Sequence, residues 1–82
     1  MFENFFISKE IYGSDKFLNL MTTAQLLYTH LAIRADNSGF VNNIRSLLLI
    51  TRCQEVDLET LINAGYIMPF KDGIRILINI NS

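Results

Sequence analysis

The chain has 82 residues, 50% hydrophobic and 18% charged, with seven Lys and Arg against eight Asp and Glu. That length makes one domain, the apolar content excludes a chain that is mainly disordered, and the net charge of −1 excludes a surface that wraps a polyanion from all sides. One Cys and one His leave no disulfide and no Cys/His metal cluster, no apolar run nears the ~18 residues of a membrane span, and the start MFENFFISKE lacks the basic opening of a signal peptide, so a soluble, cytoplasmic protein is expected.

Residues 1–21 open on Phe2, Phe5 and Phe6, with Ile7, Ile11 and Tyr12 following at near-helical spacing. Gly13-Ser14-Asp15 is a turn signal, and Phe17, Leu18, Leu20 and Met21 resume the apolar run. An apolar arm with one or two short helical turns is expected. The next helix spans about 22–35. Ala24, Leu27, Tyr28, Leu31 and Ala35 share one helical face, and Leu26, His30 and Ile33 are read as widening it. Thr22 and Gln25 have the spacing of a capping box. Asp36-Asn37-Ser38-Gly39 ends the helix, and Phe40-Val41 makes a short strand.

Asn42 and Asn43 are good capping residues ahead of a short helix over 44–50. A connector at Thr51-Arg52-Cys53-Gln54 leads to a second helix over 55–64, with Leu58, Leu61 and Ile62 as its buried stripe. Its first turns carry Glu55, Asp57 and Glu59, where the helix dipole favours negative charge, and Gly65 suits the position after its end. A strand over 66–70 carries Pro69, which marks an edge or a bulge. Lys71-Asp72-Gly73 is a hairpin turn containing the Asp-Gly signal. Ile74, Ile76, Ile78 and Ile80 then alternate with Arg75, Leu77 and Asn79 as a half-buried strand. The order predicts a small α+β winged helix-turn-helix domain: an arm over 1–21, a helical core over 22–65 and a hairpin wing over 66–80.

Ala24-Gln25-Leu26-Leu27-Tyr28-Thr29-His30-Leu31, Arg34-Ala35-Asp36 and Gly39-Phe40-Val41-Asn42-Asn43 resemble the "AQxLYxHL" and "RADxxGFVNN" stretches of phage replisome organisers of Gram-positive bacteria. Asp57-Leu58, Leu61-Ile62, Ala64-Gly65, Ile67, Pro69-Phe70 and Gly73 continue the likeness into the wing, and it spans about residues 17–78. Arg52-Cys53-Gln54 stands where a glycine is common in that family. The resemblance implies a DnaD-like winged helix, the N-terminal part of longer initiation proteins that bind the phage origin and recruit helicase-loading machinery in the host cell. This sequence ends at Ser82, so the recruiting activity of the following region is not carried over.

Arg45, Arg52, Lys71 and Arg75 are candidate phosphate contacts if they converge, and scattered solvated bases otherwise. Asn42 and Asn43 join them through the free amides of a helix start, beside their simpler reading as caps. The second short helix holds three acids and no base, which opposes its entry into a major groove. Glu55 and Glu59 are therefore candidate protein contacts, as are Phe2, Phe5 and Phe6 if the arm does not fold over the core. An edge position for the last strand would allow pairing with a second copy, hence a homo-oligomer. No catalytic constellation, metal site or cofactor motif is present in the sequence. Three functions are carried forward. The first is a replication-initiation module that binds DNA weakly or self-associates. The second is a stand-alone phage regulator or inhibitor that binds a host replication or defence protein, and the third is a transcriptional regulator.

Overall fold

The computed structural model describes Ile11 and residues 13–77. Phe2, Phe5 and Phe6 lie outside the described residues, as do Ile78 and Ile80 of the predicted last strand. Helix α1 (Asp15–Leu18) starts at Ser14, whose Oγ accepts the Phe17 amide at 3.2 Å. That satisfies one of the amides a first helical turn leaves over. Four residues do not hold a helix alone. Phe17 anchors this one: it is fully buried and meets Tyr28 and Tyr66 edge-on, with centroids 5.5 and 5.7 Å away. Tyr28 and Tyr66 close the triangle at 5.7 Å. Such packing sets positive ring edges against negative ring faces.

Helix α2 (Thr22–Arg34) buries Ala24, Leu27, Tyr28 and Leu31, and Ala35 follows just past its end. Leu26 and Ile33 do not widen that face; they are 44% and 52% exposed. At about 100° per residue they point nearly opposite Ala24 and Leu31, and Ala32 takes the inner place instead. The predicted capping box is also not formed. Thr22 is already helical, and Met21 precedes it with no side-chain capping bond. Gln25 turns back and donates to the carbonyls of Leu18 and Leu20, at 3.2 and 2.9 Å. Those carbonyls are left over where α1 ends, so the amide secures the corner between the two helices.

Strand β1 (Phe40–Asn42), helix α3 (Ile44–Thr51), helix α4 (Glu55–Asn63) and strands β2 (Ile67–Phe70) and β3 (Gly73–Ile76) follow. The described residues thus form a small α+β fold of four helices and a three-stranded antiparallel sheet ordered β1-β3-β2. Ile74 and Ile76 face the core and Arg75 faces out, as the alternation predicts. β3 is the central strand, so the condition for pairing through an edge is not met over Gly73–Ile76. Among the described residues, both of its sides are already paired. Pro69 does lie on an edge strand, where a missing N–H is tolerated. Val41, Ile67, Ile74 and Ile76 form the inner sheet face and join Leu27, Leu31, Leu47 and Leu61 of the helices in one core.

The hairpin corrects one expectation. Phe70 pairs with Gly73, so the turn is Lys71-Asp72 and Gly73 begins β3. None of the three has a positive φ. A Cβ on Gly73 would collide with the Val41 carbonyl and come 3.0 Å from Cζ of Phe40. The glycine therefore serves the close approach of β1, not the turn.

Candidate nucleic-acid interface

Two shallow grooves meet at Asn43. One, of about 380 Å³, lies between the start of α3, Leu58 of α4 and the hairpin, and takes its polar lining from Asn43, Arg45, Lys71 and Asp72. The other, of about 280 Å³, runs between the end of α2, β1 and α3, with Arg34, Asn42, Asn43 and Ser46 along it.

Asn42 and Asn43 do not cap α3 with their side chains. Asn42 is the last residue of β1, opposite Gly73. Asn43 holds the capping position in a left-handed conformation, φ 55° and ψ 45°, and its side chain makes no capping bond. A capping side chain works from extended backbone; Asn is instead one of the few residues that enters the left-handed region cheaply. It spends that freedom on turning the chain from strand to helix.

The predicted basic face divides. Arg45 and Lys71 are exposed and share the first groove with Asn43, while Asn42 lines the adjoining one. Arg52 lines neither of these grooves. It ends α3 with φ 64° and ψ 20°, occupying the left-handed position that suits a glycine. Arg75 points from the outer face of the sheet, its guanidinium 6.0 Å from the Phe40 ring centroid and 5.7 Å from that of Phe70. Those distances are in cation–π range.

On α4, Glu55, Val56, Glu59 and Asn63 are exposed, and neither glutamate lines the grooves. Asp57 is not one of the solvated acids. It is 2% exposed; Oδ2 accepts the Gln54 amide at 2.8 Å and Oδ1 accepts the Thr23 hydroxyl at 2.5 Å. The first turns of α2 and α4 are thereby joined. An acid three residues after the position preceding a helix is a legible capping signal; its Thr23 partner, 34 residues away, is not. Cys53 fills the corner beside them, buried, with Sγ 3.6 Å from the Thr23 carbonyl. His30 is half-buried, and Arg34 donates to its Nδ1 at 3.2 Å.

The loop into β1 hangs on Asp36. Its Oδ1 accepts the Ser38 amide and hydroxyl, both at 2.8 Å, and the Phe40 amide at 3.0 Å. The Phe40 amide foremost, then the two Ser38 groups and the nearby Arg75 charge, hold this carboxyl below the ordinary carboxylate range. Reasoning from sequence missed the outer sheet face as a feature. Phe40 and Phe70 meet there edge-on at 6.2 Å, and Met68 stands across from Arg75. The signal lay in the residues alternating with Val41, Pro69 and Ile74, and it became readable only with the strand register.

Among the described residues, no three His, Cys, Asp or Glu side chains gather to hold a metal, and no helix is long and apolar enough to cross a membrane. No family model matches the chain, and comparisons with curated proteins and with solved structures find no match either.

Proposed function

We propose that the chain is a winged-helix module of the phage replication-initiator type that binds DNA weakly through the groove between α3 and the hairpin. The element order and the β1-β3-β2 sheet suit a winged helix. The observation that carries the reading is the groove itself. Asn43, Arg45 and Lys71 come from two separate parts of the chain and line one depression beside the amides that open α3. A helix start with two flanking cations suits phosphate. Few contacts mean weak, salt-sensitive binding.

Anisotropy of a labelled duplex and of a labelled single strand, each titrated with the chain at several salt concentrations, tests this. Wild type is expected to bind at low salt, and Arg45→Ala with Lys71→Ala to reduce the salt slope by about two, one unit per lost phosphate contact. Absence of binding at low salt, or an unchanged slope in the double variant, rejects the reading.

A second reading has its own support. The exposed side of α4 carries Glu55 and Glu59 around Val56, and Leu49 and Ile50 on α3 are 76% and 70% exposed. Such surfaces suit a protein partner, as in a regulator that binds a host replication or defence factor. On that reading Glu55→Lys with Glu59→Lys abolishes partner binding, whereas Arg45→Ala with Lys71→Ala leaves it intact.

A further inference from the structure

The outer face of the sheet carries an aromatic platform beside the basic groove. Register sets Phe40, Arg75 and Met68 in a row across the three strands, with Phe70 next to Gly73. Because Gly73 has no side chain, the Phe40 ring lies over it and reaches Phe70. Arg75 stands over both rings. Phe70 is nevertheless 49% exposed and Met68 45%. Phe70 also lines the groove that holds Lys71 and Asn43, so the aromatic face and the basic track share an edge. The surface carries Arg45, Lys71 and Arg75 against Asp72 in the groove and Asp36 near Arg75, and Asp36 already accepts three hydrogen bonds.

Resting on the nucleic-acid reading of the groove, we infer that the occupant of this surface is a single strand, with a base stacked on Phe70 and phosphates on Arg45 and Lys71. A duplex hides its base faces, whereas a single strand presents them. An exposed ring beside a basic track distinguishes the two without reading sequence.

The test uses the 82-residue chain with a labelled oligothymidylate of about 12 nucleotides and a duplex of similar length. F70L keeps apolar bulk and removes the ring. It is expected to weaken oligothymidylate binding about tenfold and leave duplex binding within about twofold. The wild-type chain has no tryptophan, so F70W supplies a single tryptophan at the platform, excited selectively over the tyrosines at its red edge. Its emission is expected to fall as oligothymidylate is added, and to hold with duplex. This second variant keeps the test open if F70L fails to fold by circular dichroism. Unchanged oligothymidylate affinity in F70L, or steady F70W emission while anisotropy rises, overturns the stacking site and leaves the groove reading standing. Absence of salt-sensitive binding to both probes removes the two together.

Discussion

Asp36 and Asp57 are short acids near helix ends, and the fold uses them in opposite settings. Asp36 is at the surface and gathers the amides of its own loop. Its depressed pKa means that the folded state favours the ionised form, so it adds stability above the ordinary carboxylate pKa. That contribution disappears as pH falls through the lowered value. The stability gap between wild type and Asp36→Asn is therefore expected to be constant at neutral pH and to shrink below about pH 4. Urea unfolding across pH reads it, and a gap that does not change with pH contradicts the assignment. Asp57 is buried and ties two helices together. Asp57→Ala leaves the Thr23 hydroxyl and the Gln54 amide without this acceptor, and is expected to lower unfolding free energy by about 2 kcal/mol. A loss under about 0.5 kcal/mol, the level of an ordinary surface change, contradicts that role.

At the level of elements, backbone conformation decides the corners. The turn between α3 and α4 uses Arg52 in a left-handed conformation without a glycine, and closes with Cys53 packed inward. The two glycines with the plainest signals do different work. Gly65 has φ 86° in open space, so Gly65→Ala meets backbone strain alone, about 1 kcal/mol. Gly73 has ordinary φ but no room, because β1 crosses where a side chain would be. Gly73→Ala is expected to cost about 3 kcal/mol or more and to speed amide exchange in β1 and β3. Equal losses in the two variants contradict the packing account.

The molecule as a whole is held by one core, and Phe17 is the one residue of α1 buried in it. Phe17 joins α1 to Tyr28 of α2 and to Tyr66 ahead of β2. Phe17→Ala is expected to cost about 3–5 kcal/mol, a large share of the stability of a domain this small. Leu49→Gln, at a residue 76% exposed, is expected to stay within about 0.5 kcal/mol of wild type. Thermal unfolding of the two variants side by side checks the pair. A costly Leu49→Gln points to a surface buried by self-association.

Local periodicity was enough to read most elements from the chain. The 22–35 helix follows from apolar residues recurring every three or four positions. The Ile74-Arg75-Ile76 alternation marks a half-buried strand, and Gly65 marks the end of α4. These rest on contacts or backbone preferences within a few residues, which sequence spacing encodes directly. Other features depend on neighbours far along the chain. The place of β3 at the centre of the sheet, the second hydrogen bond of Asp57, the demand on Gly73 and the split of the basic residues between groove, corner and sheet face all arise so. The alternation names the outward residue of each strand, but only the strand order and register put Arg75 between Phe40 and Met68. Distance across the fold, not position along it, determines which charges and rings can act together.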